Sequence, residues 1–278
     1  MNRLLQLGIF GCLWTLSQIV SANDKPATAA DNVIVLEAPF TISALQRQRT
    51  IRLYLPPNYA NSAKAYPVLY MHDAQNLFDT ATSYAGEWNI DESLNHLSKT
   101  LGFELIVVGI DNGAEKRMNE LSPWPNEHFG KAEGDAYLDF IVNTVKPYID
   151  QHYRTLTDTQ NTAIFGSSMG GLISHYAIHR YPHVFGKAGI FSPSYWYSES
   201  VYQYTLANPL SSQHRLYINV GLNEGVGMVQ PLQSMVALLR KQDSVSFFAN
   251  VEPEGDHNEA SWRRQFPKAI LWLFQYTP

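Results

Sequence analysis

Apolar residues along this chain fall into short runs parted by polar, turn-rich segments, and the runs switch between a two-residue and a helical period. Ile51, Leu53 and Leu55 alternate with Thr50, Arg52 and Tyr54, the pattern of a half-buried antiparallel strand. Residues 33–40 and 48–55 are therefore expected as strands, ended by Pro56-Pro57-Asn58. From there the pattern alternates. Apolar strand-like runs occupy 67–72, 105–110, 161–165, 188–191, 216–220 and 245–251. The run at 105–110 is apolar throughout, as burial on both faces requires. Helical spacing fills the gaps at 90–101, 135–152, 172–180, 229–240 and 262–276. In the second of these, Tyr137, Leu138, Ile141, Val142, Val145, Tyr148 and Ile149 share a face. The alternation predicts an α/β fold, a mainly parallel central sheet with helices on both faces. No internal repeat or second domain is evident, so residues 33–278 are read as one domain.

Within this pattern, Gly166-Ser167-Ser168-Met169-Gly170-Gly171 stands between a predicted strand and a predicted helix. That is a G-x-S-x-G pentapeptide in strand–turn–helix context, a nucleophile elbow. The tight turn holds its central residue in a strained conformation and lifts the hydroxyl to the tip of the bend. Ser168 is the candidate nucleophile. The bland alternative is a Gly/Ser turn capping a helix, so partners must be sought.

A serine hydroxyl needs a base and a group to orient that base. In this architecture the chain order is serine, acid, histidine. Among nine histidines, His257 sits in the turn-rich stretch Pro253-Glu254-Gly255-Asp256-His257-Asn258, after the last predicted strand. His72 precedes the serine, which suits a wall or oxyanion-loop role. His175 and His179 lie one helical turn apart but lack the glutamate of a zinc-protease helix, and read as an ordinary exposed face. Glu224, in the loop after 216–220, is the first candidate acid; Asp256 is the second. An oxyanion needs backbone N–H donors. Met169, at the helix start, offers one, and the loop after 67–72 offers the other from Gln75, with Ala74 as the alternative.

Composition narrows the class. Charged residues make up 16% of the chain and aromatics 13%, against roughly 25% charged in a typical globular protein. A net charge of −5 without a basic run argues against nucleic acid as a partner. The N-terminus changes the picture more. Asn2 and Arg3 precede a mostly apolar stretch, and Val20-Ser21-Ala22 supplies small residues at cleavage-type positions. Residues 1–22 are expected to be a signal peptide and 23–32 a polar linker, which predicts a periplasmic or secreted protein with no membrane span in the mature chain. A lipid anchor at Cys12 is the alternative, although Phe10 fits such a site poorly. Cys12 is the only cysteine, so the mature chain would hold no disulfide or zinc–thiolate site. No cofactor or metal is expected.

Tyr70-Met71-His72-Asp73-Ala74-Gln75-Asn76-Leu77-Phe78-Asp79 resembles the "hDGqNlFd" segment of an esterase family of α/β-hydrolases. That family includes enterochelin esterase-like proteins, esterase D, feruloyl-esterase-type enzymes and mycolyltransferases. Glu87-Trp88-Asn89-Ile90-Asp91, Arg117-x-x-Glu120-Leu121-Ser122-Pro123, Gly166–Gly171 and Gly255-x-His257-x-x-x-x-Trp262 are similar to its further motifs, in the same order, from about Arg52 to Leu273. The resemblance implies a single α/β-hydrolase domain and a serine esterase acting on a small-molecule ester through an acyl-enzyme. Within the family, a siderophore-type or aromatic ester suits the aromatic loops. An acyltransferase, or a catalytically silent ligand-binding protein on the same fold, are the alternatives. The family roles fall on Ser168, His257, Glu224 and Gln75. Where the family has glycine, this chain has Ala74; if that position takes a positive φ, the loop is strained. Arg117 is a candidate substrate contact, or else the partner of Glu120 or another acid. Trp88 is expected to pack beneath the loop. Trp196, within Tyr195-Trp196-Tyr197, is a candidate for lining an aromatic acyl pocket, or else for part of a packed cap.

Overall fold

The computed structural model describes residues 25–37, 40–242 and 245–276. The expected signal peptide and Cys12 lie outside the described residues. The sheet is built as the alternation implies. β1 (Val33–Val35) and β4 (Ile51–Tyr54) pair antiparallel, and β4 runs antiparallel to β6 (Ile106–Ile110). The remaining neighbours are parallel: β5 (Val68–His72), β7 (Thr162–Ser167), β8 (Lys187–Phe191), β9 (Arg215–Gly221) and β10 (Ser246–Glu252). The order across eight strands is β1-β4-β6-β5-β7-β8-β9-β10. The predicted strand 33–40 is interrupted, because its end pairs elsewhere: β2 (Phe40–Ile42) joins β3 (Arg47–Arg49) in a separate ribbon.

Parallel strands are covered on both faces, which explains why β5, β6 and β7 are buried throughout. Side chains alternate between two cores. Val68, Tyr70, Ile106, Val108 and Ile164 enter one, and Leu69, Met71, Val107, Ala163 and Phe165 the other. The second core is closed by α1 (Ile90–Leu101), through Ile90, Leu94 and Leu97, and by α8 (Glu259–Leu273), through Trp262, Phe266, Ala269, Ile270 and Leu273. The first is covered by α3 (Gly134–Phe140), α4 (Lys146–His152), α5 (Met169–Arg180), α6 (Ser200–Ala207) and α7 (Val226–Leu239). A π-helical turn at Ile141–Val145 joins α3 to α4, so the predicted helix 135–152 is continuous in path. A short helix, α2 (Arg117–Glu120), precedes them.

α5 corrects one expectation. His175 and His179 are not on an exposed face; they are 1% and 3% exposed. α5 follows a central strand and is packed on every side, being buried from Met169 to His179. His175 is held between Tyr195 Oη and Thr205 Oγ1, both at 2.8 Å, and burial keeps both imidazoles well below their usual pKa, that of His179 at about 4.

Of the segment expected as a linker, residues 25–30 carry no helix or strand and 31–32 form a turn, and it is tied down. Thr28 Oγ1 donates to Glu87 at 2.9 Å, and the Ala30 amide donates to Asp91 Oδ2 at 2.8 Å. It lies as a strap over the entrance to α1.

Candidate active site

The turn between β7 and α5 holds Ser168 at φ +58°, ψ −122°, a conformation L residues adopt only when the surroundings enforce it. Three backbone bonds enforce it here. Ser168 N–H donates to Phe191 O at 2.9 Å, while its carbonyl accepts from Leu172 N and Ser194 N at 3.0 and 3.1 Å. The bend also needs close backbone approach. A Cβ on Gly166 would meet the Gly170 carbonyl at 2.7 Å, and one on Gly171 would meet Phe191 O at 2.7 Å. Gly170, the last letter of the pentapeptide, is less constrained, with its nearest contact at 3.4 Å.

The next loops come from β9 and β10. They touch because Gly221 and Gly255 lack side chains: a Cβ on Gly221 would lie 2.2 Å from Gly255 O. Asn223 N–H bonds that same carbonyl at 3.0 Å. This contact draws Glu224 and His257 together, and Glu224 Oε2 stands 2.6 Å from His257 Nδ1. The Glu224 side chain is 1% exposed and His257 39%. The other carboxylate oxygen, Oε1, accepts from Gly221 N at 2.8 Å and Ser192 Oγ at 2.6 Å. Asp256 points elsewhere: it is exposed, and its backbone N–H caps onto Ser261 Oγ.

Ser168 and His257 both line one cavity of about 630 Å3, a usual size for a small-molecule site. Its walls include Gln75, Asn76, Tyr84, Trp88, Glu259 and Trp262. Ser168 Oγ makes a long 3.3 Å contact with Ser194 Oγ; among the described residues no hydrogen bond joins it to His257. Gln75 lines the cavity, its side chain accepting from Asn112 N at 3.0 Å. Met169 buries its side chain in the core, with its amide at the start of α5. Neither the Gln75 nor the Met169 amide has a backbone acceptor in a loop or turn among the described residues. The residue with positive φ in this loop is Asp73, at +57°, so Ala74 is unstrained.

Asp73 explains Arg117. The guanidinium grips it through Nε–Oδ1 at 2.6 Å and a second nitrogen to Oδ2 at 2.8 Å, and Asn112 adds a 2.7 Å bond. Burial pushes the Asp73 carboxyl up, but Arg117 and Asn112 outweigh it and hold it below the usual range. Glu120 instead accepts from Arg47 at 2.7 Å and from Arg49. Arg117 still lines the cavity. His72 is a wall residue whose imidazole burial lowers to about 4; its Nδ1 pairs with Tyr137 Oη at 2.8 Å. Trp88 packs against Phe191 at 5.9 Å and Trp262 at 5.5 Å.

Trp196 is a correction. It does not line the cavity; it is 49% exposed and sits against Phe129 and Tyr197. Its neighbours Tyr195 and Tyr197 are buried in the core, which turns the intervening ring outward. The aromatic wall comes from Tyr84, Trp88 and Trp262 instead. Reading by chain order also missed Glu259 and Tyr84, which line the cavity, and Ser192, which bonds Glu224 beneath it, because these placements arise only from folding. Burial pushes the Glu259 carboxyl up, and Asn76 Nδ2 binds it at 3.1 Å. For metals, Glu87, Asp91 and Glu92 bring carboxylate oxygens within 4.8 Å of one another, but none of the three lines the cavity.

Comparison with known proteins agrees with this architecture. The chain is 28% identical over 242 residues to the uncharacterized protein YbbA of Bacillus subtilis, covering 81% of this chain and 92% of that one. It is 22% identical over 275 residues to an endo-1,4-beta-xylanase/feruloyl esterase of Xylanibacter ruminicola, covering 95% of this chain and 35% of that one. The fold matches the crystal structure of the enterobactin esterase of Shigella flexneri with a TM-score of 0.72 at 19% identity, over 89% of this chain and 61% of that one. Residues 42–273 match the family described as "Putative esterase"; with its mainly parallel eight-stranded sheet covered on both faces, the chain belongs to that esterase family and has the α/β-hydrolase fold.

Proposed function

We propose that this protein is an exported serine hydrolase that cleaves a carboxylic ester through Ser168, His257 and Glu224. The observation that carries the reading is the 2.6 Å bond from buried Glu224 to His257 Nδ1, at a cavity that also holds the strained Ser168. With Nδ1 committed to the carboxylate, Nε2 is the nitrogen free to act as base. The Ser168 hydroxyl turns from its long contact with Ser194 toward the imidazole. Nε2 takes its proton as the oxygen attacks the ester carbonyl. Glu224 fixes the tautomer and stabilises the imidazolium, and the amides of Met169 and Gln75 receive the oxyanion. The imidazolium returns its proton to the departing alcohol. Water, deprotonated by the same nitrogen, then attacks the acyl-enzyme carbonyl; the bond from Ser168 Oγ to the acyl carbon breaks, the imidazolium returns its proton to Ser168, and the acid is released. A siderophore-type or aromatic ester fits a cavity walled by Tyr84, Trp88 and Trp262.

Hydrolysis of p-nitrophenyl butyrate by the purified chain tests this. Ser168→Ala and His257→Ala are expected to lower kcat by about 10^4-fold or more, and Glu224→Gln by about 10^2- to 10^4-fold. Asp256→Asn should remain active. Retained turnover in Ser168→Ala would end the proposal. A panel of acyl, feruloyl and catecholate esters, ranked by kcat/KM, assigns the substrate.

A further inference from the structure

Trp262 closes the Gly255-x-His257-x-x-x-x-Trp262 motif, and beyond walling the cavity it takes no part in the proton transfers above. The structure places it at a junction. Its indole is 5% exposed, lines the cavity and meets the His257 ring edge-on at 5.1 Å and 81°. Its Nε1–H donates to Ser192 Oγ at 2.8 Å. Ser192 Oγ in turn donates to Glu224 Oε1 at 2.6 Å, and the opposite carboxylate oxygen holds His257.

Ser192 is the first residue beyond β8, fully buried, with φ +42°. Its amide donates to Asn219 O at 2.6 Å. That backbone region favours glycine, and serine occupies it only at a cost. What glycine would lack there is the hydroxyl. Ser168 makes the same compromise at the end of the neighbouring strand β7. Two adjacent strands thus end in left-handed serines, one presenting its hydroxyl to the cavity and the other to the acid.

A hydroxyl has one proton to give. The indole N–H occupies a lone pair of Ser192 Oγ, so the serine proton is directed to Glu224. Gly221 N–H supplies a second bond to the same oxygen, and the buried carboxylate is left with its remaining oxygen aimed at the imidazole. Chains of this kind reinforce one another in a low-dielectric interior.

We propose that Ser192 and Trp262 are positioning residues, a relay from indole to hydroxyl to carboxylate that holds Glu224 in register with His257, and that the backbone strain at Ser192 is retained for this purpose. The inference rests on the triad reading. A plain packing role for the pair predicts different behaviour, since Phe would fill the Trp262 site and Gly would relax the Ser192 turn.

The test measures kcat and KM for p-nitrophenyl butyrate, thermal midpoints, and the pH dependence of kcat/KM in Ser192→Gly, Ser192→Ala, Trp262→Phe and the Ser192→Gly/Trp262→Phe pair. Ser192→Gly is expected to lose about tenfold or more in kcat with KM held within about twofold, while its midpoint stays at or above that of Ser192→Ala. Losing a donor leaves more negative charge on Glu224 facing the imidazole. The acidic half-maximum of kcat/KM should therefore move up by about half a pH unit. Glu259 on α8 is a further charge that interacts with His257. Trp262→Phe should shift both quantities in the same direction by less, and should add little in the Ser192→Gly background, because the chain is already cut. Wild-type kcat and pH profile in Ser192→Gly, in an enzyme that Ser168→Ala silences, overturn the relay and leave the triad standing. Turnover that survives Ser168→Ala removes both.

Discussion

At the scale of single residues, the Asp73–Arg117 pair shows how the cavity wall is held. Asp73 takes a left-handed backbone, and its side chain is 11% exposed beside an Arg117 side chain that is 25% exposed. Both forks of the carboxylate are used, so the pair sets the loop that carries Gln75. Removing one partner strands a buried charge, which costs about 3–5 kcal/mol. Arg117→Ala should lower the thermal midpoint markedly, and Arg117→Lys should recover little, because an ammonium cannot reproduce the two-pronged grip. Asp73→Asn combined with Arg117→Met should be more stable than Arg117→Ala alone. Thermal unfolding of the three variants checks the order. The catalytic candidates Ser168, Glu224 and His257 were legible in the sequence because their chain order and loop positions are covalent facts. The duties of Ser192 and Asp73 were not, since each depends on a residue brought close only by packing.

At the scale of elements, the start of α1 concentrates negative charge. Asp91 is fully buried, with Glu87 and Glu92 nearby. Burial pushes the Asp91 carboxyl up to about 7, and Glu92 adds to the rise. A folded value above the unfolded one means that protonation stabilises the fold at low pH. That contribution is complete below the unfolded value of about 4 and is lost as pH rises through about 7. Asp91→Asn keeps an oxygen for the Ala30 amide and removes the titration. It should raise stability on the order of 1–3 kcal/mol at pH 8, with the gain shrinking by pH 5; denaturant unfolding at the two pH values decides it. Strand and helix positions were readable from periodicity, from the β5–β6 runs to α1. The exposed reading of α5 failed because a helix buried on all sides has no polar face to reveal itself, and two histidines supplied a false one. Trp196 misled for the opposite reason: its aromatic neighbours are core, and their burial forces it outward.

At the scale of the whole molecule, the sheet brings the ends of four consecutive strands, β7-β8-β9-β10, to one rim. The proposed nucleophile, acid and base follow the ends of β7, β9 and β10 there. This arrangement follows from the right-handed crossovers of a parallel sheet, which is why the architecture could be expected from alternation alone. The strap at Thr28 and Ala30 sits shortly after the proposed cleavage point, so processing at residue 22 would leave it intact. Cell fractionation of the full-length chain should place ester-hydrolysing activity outside the cytoplasm, and a chain begun at residue 23 should retain it inside; equal distribution of the two would remove the export proposal. The spacing of the three reactive groups has a temporal side as well. The elbow is synthesised well before His257, and the loop contact between Gly221 and Gly255 that aligns the proposed acid and base cannot form until β10 and the loop after it have been made. A chain halted before residue 257 therefore carries Ser168 without its proposed base, and the proposed triad comes together only after the loop following β10 has met the one following β9.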